Sequence, residues 1–310
     1  MDGSYMPSQP GGTIFSDDGA VGFASTERVN DILWRVGNQS LNAYGYNGGY
    51  TNLNAFVPIF SDGSQNVLFA IPRVNFTDYG KLGANLGVGY RTYVPENDRV
   101  YGVSGWWDYD DGHQSNYQQW GMNFESIGRW LSLRGGFALP SGNDSFIYNT
   151  TLGDAQFVGN NIVATQTQFF ERSYANYNAE VATPLPGLAR YGFDVGMGMY
   201  VLQSPGLSNI VGGSLRTQAQ LTESAWMNAT YTYDHHYQSM FSLNVELTLP
   251  DGPPKQWFRR NSVQHSLTDN VIRNYRIAVT EQSKSQQITL TNPGGGGGGG
   301  GGGGCGGNGG

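Results

Sequence analysis

Apolar and polar residues alternate along most of the chain. In the stretch YGFDVGMGMYV, residues 191–201, the apolar Phe, Val and Met side chains fall on odd positions, and Gly, Asp and Tyr fall on even ones. This period of two predicts a β-strand with one apolar face. That face meets a protein core in a soluble sheet and lipid in a membrane barrel. The stretch alone is therefore compatible with both folds.

The same alternation predicts eleven strands, and most of them run ten residues or more. Soluble strands are usually about five or six residues long, whereas a tilted strand that crosses a bilayer needs about 9 to 11. The length of the strands therefore favours a membrane barrel. A weaker first strand over residues 36–47 brings the total to twelve. The other predicted strands are 51–60, 66–77, 82–94, 99–110, 116–127, 130–140, 167–184, 190–203, 210–222, 225–234 and 238–249.

The connections between these strands alternate between short and long. One set comprises SDGSQ, VPEND, IGR, PLPGL and TES, and the other comprises DGHQSN, SPGLSN, DHHYQ and a long excursion over residues 141–166. Outer-membrane barrels have short turns on the periplasmic side and longer loops outside, and an even strand count returns both chain ends to the short-turn side. The sequence thus predicts an all-β, twelve-stranded antiparallel transmembrane barrel. A soluble β-sandwich or β-barrel is the alternative.

Aromatic residues and glycines support the membrane alternative. Tyr101 and Tyr109 end one apolar stripe, as expected for the aromatic girdles of a barrel. The opposite faces, which would line the lumen, carry many glycines and so leave room for water or for a chain segment. These glycines are Gly83, Gly87, Gly89, Gly102, Gly192, Gly196 and Gly198.

The composition of the chain argues against several structural and functional classes. The mean hydropathy is −0.41 and charged residues make up 13%. No run approaches the roughly 20 apolar residues of a membrane helix, so a membrane-spanning helix is not predicted. A net charge of −7 argues against nucleic acid as a partner. Cys305 is the single cysteine, so there is no internal disulfide framework. The N-terminal MDGSYMPSQPGG shows no signal peptide, so an exported protein would be represented here by a fragment, a processed form or a chain with a misplaced start.

One long run carries a family resemblance. Residues 85–140 contain NLGVGYR, then GWWDYD with a His in the next loop, WGMNFES, and a strand that ends in FALP. This run resembles the barrel domain of the inverse autotransporters, the intimin and invasin family, in the style of large envelope proteins of planctomycete-like bacteria. The resemblance implies a twelve-stranded outer-membrane barrel with both ends directed inward. It further implies a linker that returns through the lumen and carries a passenger outside.

The resemblance divides the chain into four parts. Residues 1–35 are an N-terminal extension, 36–250 the barrel, 251–293 a linker with the potential to thread the lumen, and 294–310 a Gly-rich flexible tail. A periplasmic extension or a small plug is the alternative for the polar linker. Neither a peptidoglycan-binding segment nor a series of immunoglobulin-like domains is visible, so adhesion does not follow from this sequence.

Chemical motifs are weak. Residues 108–113, DYDDGH, lack the spacing and the terminal Glu of an EF-hand and are interpreted as a solvated loop. Asp234, His235 and His236 lie in another loop at the same rim, where a rim protease would need an aspartate and a histidine. No serine has the context of a lipase nucleophile, and the GVG of residues 87–89 lacks the rest of a dinucleotide site. The sequence therefore predicts no catalytic, cofactor-binding or metal-binding residues, and no enzyme.

The resulting functional prediction is a translocator and anchor of an inverse-autotransporter-like surface protein in the outer membrane. Its expected partners are outer-membrane lipid, the barrel-assembly machinery and periplasmic chaperones, and its own C-terminal segment in the lumen. The main alternative is a porin-like channel with a periplasmic tail. A rim-active barrel protease or lipase is a weaker alternative.

Overall fold

The computed structural model describes residues 27–40, 42, 45, 48–142, 145–188, 192–222, 224–250 and 263–290. Most of the predicted N-terminal extension, the first part of the linker and the Gly-rich tail lie outside these residues. Among the described residues, no helix is long and apolar enough to cross a bilayer. Helical structure there consists of short 3-10 turns at Glu27–Asn30, Pro95–Asn97 and Gln264–Thr268.

Twelve antiparallel strands close into one barrel, which confirms the predicted fold class and strand number. Closure is made by the first strand, which pairs with both the second and the last strand of the barrel. In chain order the barrel strands are β1 (Leu33–Ser40), β2 (Tyr50–Ser61), β3 (Asn66–Thr77), β4 (Leu82–Val94), β5 (Arg99–Asp110), β6 (Tyr117–Gly128), β7 (Ser132–Ser141), β11 (Ala175–Pro184), β12 (Asp194–Gln203), β13 (Ile210–Gln220), β14 (Ala225–Asp234) and β15 (Gln238–Leu249).

Four further strands form a separate sheet at the long-loop rim. β10 (Asn161–Ser173) pairs with β8 (Ser145–Leu152), with the short β9 (Gln156–Val158) and with β16 (Val279–Leu290). Two predictions are corrected here. The excursion over residues 141–166 is largely sheet rather than loop, and the strand predicted over 167–184 is two strands, β10 and β11, which belong to different sheets.

The start of the barrel also differs from the prediction. The first strand occupies Leu33–Ser40 rather than residues 36–47, so the barrel begins a few residues before the predicted boundary at 36. The polar Asn and Gln residues of this strand obscured its alternation. Its side chains nevertheless alternate strictly between a buried and an exposed face over residues 33–38.

Exposure follows an inside-out pattern along the strands. Met197 and Met199 of β12 are 65% and 56% exposed on the outer surface, whereas Arg91 and Asp108 on the lumen side are fully buried. The apolar face of these strands therefore points away from the barrel interior. A closed ladder with an apolar outer belt satisfies its backbone groups in lipid. The chain is an outer-membrane type of β-barrel.

The apolar belt gives a direct test of this orientation. Met197→Arg is expected to destabilise the barrel in lipid vesicles by about 2–4 kcal/mol, because it places a charge near the bilayer midplane. Asn228→Arg is the matched control, since Asn228 lines a cavity in the lumen. Equilibrium refolding in denaturant measures both free energies of unfolding. Equal effects of the two substitutions would contradict the assignment of the faces.

Candidate functional site

A segment of the chain beyond the last barrel strand lies inside the barrel. We call residues 263–278 the lumen segment. At the short-turn rim, the backbone N–H of Val263 donates to Asp98 (3.0 Å), and the Gln264 side chain donates to the carbonyl of Ser64. Asp98 and Ser64 belong to the turns predicted as VPEND and SDGSQ. The lumen segment therefore begins at the rim where β15 ends.

Apolar side chains of the lumen segment pack on one side of the barrel wall. Val263, Leu267 and Val271 are at most 3% exposed. Burial of each such side chain contributes up to about 1.5–3 kcal/mol. The wall residues in the same buried cluster are Leu33, Phe56, Val67, Phe69, Ile71, Val100, Trp106 and Ile127. The interior of this barrel is therefore not uniformly polar.

Two arginines of the barrel wall donate hydrogen bonds to backbone carbonyls in the part of the lumen segment nearer the short-turn rim. Arg91 donates to the carbonyls of Leu267 and Asp269, and Arg35 donates to the carbonyl of Thr268. Arg91 is itself paired with the buried Glu125 at 2.7 Å. Carbonyls at the end of a helical turn lack helical partners, so these guanidinium groups satisfy them. Contacts of this kind do not depend on the side chains of the segment.

Tyr275 lies in the middle of the lumen between cations and an aromatic ring. The guanidinium carbon of Arg73 lies 3.7 Å from the centre of the Tyr275 ring, and Trp106 meets the ring edge-on at 5.4 Å. Asn85 donates to the carbonyl of Tyr275 at 2.9 Å. Cation–π contacts of this geometry are favourable when the partners are withdrawn from water. They position the segment against β3, β4 and β5.

Two aspartates on β5 pair with two arginines of the lumen segment. Asp108 accepts from Arg273 at 2.6 and 3.2 Å, and Asp110 accepts from Arg276 at 2.6 and 2.9 Å. Asp110 also accepts the backbone N–H of Ile277 at 3.2 Å. All four side chains are almost completely buried. Bidentate arginine–carboxylate pairs fix geometry as well as charge. These two pairs set the position of the segment along the barrel axis.

The segment leaves the lumen through contacts at the long-loop rim. His113 Nε2 lies 3.1 Å from the carbonyl oxygen of Ile277, and His236 Nε2 lies 3.2 Å from Oγ1 of Thr280. The Tyr237 hydroxyl donates to the carbonyl of Val279 at 3.1 Å. Burial raises the pKa of Tyr237, and the neighbouring Tyr174 and Asp234 raise it further. The hydroxyl therefore stays protonated and available as a donor at physiological pH.

The lumen is filled unevenly. The ion pairs and apolar contacts of the segment concentrate on β1 to β6 and β15, and cavities of about 230 and 170 Å³ lie toward β11 to β14. Both cavities are lined by Arg134 and Arg216, which share Glu180 at 3.0 and 2.7 Å. Toward the long-loop rim, a buried cluster of Tyr174, Tyr200, Leu202, Ile210 and Ala278 packs around the outgoing chain.

The residues singled out in the sequence fall into two groups. Asp108 and Asp110 of the DYDDGH stretch lie on the lumen face of β5, not in a solvated loop, and His113 lies above them at the rim. Asp234 accepts from the Tyr200 hydroxyl and from backbone N–H groups of its own turn, where His235 and His236 lie. The described residues contain no group of three His, Cys, Asp or Glu side chains suited to a metal ion.

Glycines of the lumen face and of the rim loops make room for neighbouring groups. A Cβ on Gly87 would lie 2.6 Å from the Trp106 ring, so the absence of a side chain there lets Trp106 lie against the wall. A Cβ on Gly112 would lie 1.9 Å from Nη2 of Arg276, and one on Gly45 would lie 2.3 Å from Cβ of Ala278. Gly112 and Gly45 therefore leave the space through which the segment exits.

The fold resembles solved barrels of membrane proteins. A chain from the study "Unveiling the Mechanism Behind the in-meso Crystallization of Membrane Proteins" is similar with a TM-score of 0.61 and 13% identity, over 81% of this chain and 99% of that one. The Acinetobacter baumannii outer membrane protein Omp33 gives a TM-score of 0.38 and 11% identity over 71% and 99%. The KdgM porin gives 0.41 and 8% over 69% and 98%.

Sequence comparison adds no family to this likeness. No protein-family model matches the chain, and no curated protein sequence is significantly similar. At 13% identity, the likeness with a TM-score of 0.61 describes the fold alone, which agrees with the closed barrel of this chain, and it does not show the inverse-autotransporter family.

Proposed function

We propose that this chain is an outer-membrane anchor that carries its own C-terminal segment through the barrel to the long-loop side. The observation behind the proposal is the path of residues 263–278. Their contacts run from Asp98 at the short-turn rim to His113 at the opposite rim. Short turns face the periplasm in barrels of this type, so the path leads outward.

The nature of the contacts supports a resident segment rather than a passing one. Buried apolar side chains and two bidentate ion pairs secure residues 263–278 against the wall. Such contacts, each contributing about 1 kcal/mol or more, stabilise one position of the chain. The proposal agrees with the resemblance to inverse autotransporters and requires no catalytic residue. Lipid, assembly machinery and chaperones remain expected partners of such a barrel.

A porin-like channel is the second candidate. The observation in its favour is the unfilled part of the lumen, where polar residues such as Asn228, Asn244 and Thr230 line a cavity that also reaches Thr248 and Gln220 near the short-turn rim. Small solutes would cross there if the cluster around Tyr200 opened at the other end. Planar-bilayer conductance of the intact protein distinguishes this candidate from the anchor.

The anchor is tested through Cys305. With a signal peptide attached, the chain is expressed in a bacterium with an outer membrane, and intact cells are treated with a membrane-impermeant maleimide. Cys305 is expected to react, because it follows a segment that leaves at the long-loop rim. Labelling only after the outer membrane is permeabilised would place the tail in the periplasm and support the channel.

Two control chains make the labelling result interpretable. In a Cys305→Ser background, Ser64→Cys places a thiol on a short turn and Ser115→Cys places one on a long loop. Ser115→Cys is expected to react in intact cells and Ser64→Cys only after permeabilisation. Reaction of Ser64→Cys in intact cells would show leakage of the reagent or an inverted barrel.

A further inference from the structure

The sheet at the long-loop rim contains the longest continuous strand pairing that involves the outgoing chain. β16 follows the lumen segment directly and pairs with β10 without a break from Val279 opposite Ser173 to Leu290 opposite Ile162. The pairing begins at the rim itself, where the Tyr174 N–H donates to the carbonyl of Ala278 at 2.9 Å. The chain thus enters a ladder as soon as it leaves the lumen.

The receiving hairpin, residues 145–173, forms a sheet without β16. Among the described residues, β8 and β9 pair with one edge of β10, and β16 pairs with the other. Residues 145–170 contain a single charged side chain, Asp154. A long, charge-poor strand edge is a template for pairing with another strand. Without β16, β10 would present such an edge to the outside.

Side chains on both faces of the sheet fix the register of β16. Gln286 donates to Gln166 at 2.9 Å, and the hydroxyls of Thr167 and Ser285 lie 2.9 Å apart. Gln166 and Thr167 are successive residues and therefore point to opposite faces of the sheet. A slip by one residue would exchange the faces of every β16 side chain and break both contacts.

We propose that the outer edge of β10 is a strand-addition site that captures the C-terminal segment as it emerges and opposes its return into the lumen. The partner is the chain's own residues 279–290. This capture rests on the proposed anchor function. It would make the export of the C-terminal segment directional. Each residue of β16 that pairs outside must unpair before the chain slides back.

The geometry of β16 provides a matched test. Tyr174 N–H points to Ala278, whereas Val279 N–H points away from β10 to the carbonyl of Gly45. Because alternate residues of a strand bond to opposite neighbours, even residues of β16 direct their N–H to β10 and odd residues direct theirs to the open edge. Proline is tolerated only where the N–H is not needed in the ladder.

The experiment compares two doubly substituted full-length chains. Gln282→Pro with Gln286→Pro removes two N–H donors that face β10, and Ser283→Pro with Gln287→Pro removes two that face the open edge. Pulse-chase labelling of Cys305 with the impermeant maleimide measures how fast the tail reaches the surface. We expect Cys305 to reach the surface at least about threefold more slowly in the chain with Gln282→Pro and Gln286→Pro. In the chain with Ser283→Pro and Gln287→Pro, we expect it to reach the surface at about the parent rate. Equal rates for the two pairs would overturn the capture.

A second measurement detects the pairing itself in purified protein. In a Cys305→Ser background, Thr167→Cys with Ser285→Cys is expected to form a disulfide, while Thr167→Cys with Thr289→Cys, four residues along the same face, is not. Equal cross-linking of the two combinations would overturn the register. If Cys305 of the parent chain never reacts in intact cells, the anchor function fails first. If it reacts and the proline pairs behave alike, only the capture fails.

Discussion

Ending the chain after Pro250 is expected to convert a nearly closed barrel into an open pore. The truncation removes the lumen segment, whose side chains fill the space beside β2 to β5. A twelve-stranded barrel without an internal segment encloses an aqueous lumen. Single-channel conductance in planar bilayers should rise by about tenfold or more over that of the full chain. The barrel itself keeps every strand-to-strand ladder, because β1 pairs with β15 and not with the segment.

Heat-modifiable migration in detergent is the control for this truncation. A folded, truncated barrel that conducts no better than the full chain would show that the lumen segment does not close the pore. A full chain that already conducts strongly would instead favour the porin-like channel. Loss of heat-modifiability on truncation would mean that the segment is needed for folding, which contradicts the expectation that the ladders suffice.

Neutralising Asp108 and Asp110 together is expected to release the lumen segment. Each aspartate makes two short hydrogen bonds to an arginine that has little exposure to solvent. Hydrogen bonds to charged groups contribute about 1.5–3 kcal/mol, so losing one pair shifts the docked equilibrium by roughly tenfold to a hundredfold. Asp108→Asn with Asp110→Asn should therefore raise bilayer conductance toward that of the truncated chain.

A charge exchange separates this effect from general damage to the barrel. Arg273→Asp alone should open the lumen, because it faces Asp108 with a like charge. Combining Arg273→Asp with Asp108→Arg restores opposite charges and should lower the conductance again. A double exchange that conducts as well as the single variant would indicate that the pair does not hold the segment. The comparison needs only the conductance and the heat-modifiable migration of each chain.

Alternation was sufficient to predict the barrel. Strands such as β5 and β12 keep one apolar and one polar or glycine-rich face, and the short turns between strands fix their antiparallel order. The first strand was misplaced because polar residues interrupt its outer face. The strand predicted over residues 167–184 was continuous in the pattern, but the chain passes from the outer sheet into the barrel at Tyr174. Alternation does not distinguish one sheet from another.

The sequence of β3 indicates where the lumen segment lies. Residues 67–71, VLFAI, are apolar on both faces, with Val67, Phe69 and Ile71 buried in the lumen and Leu68 and Ala70 on the outer side. A strand that is apolar on both faces is covered on both. Such a strand in a barrel with an aqueous lumen indicates that something apolar lies inside. No sequence pattern predicts the ion pairs, because the position of Arg273 and Arg276 relative to β5 depends on tertiary structure.

The contacts of the lumen segment differ between its two ends. Near the short-turn rim, Arg35 and Arg91 bind backbone carbonyls, which every sequence possesses, whereas farther along Asp108 and Asp110 bind two particular arginine side chains. The inner half should thus accept tails that keep apolar side chains at the positions of Val263, Leu267 and Val271, and the outer half should select for charge. Among tails that keep these apolar positions, exchange between related barrels would then succeed or fail according to whether the incoming tail carries cations at the positions of Arg273 and Arg276. Two barrels with opposite charges there would accept different tails within one cell.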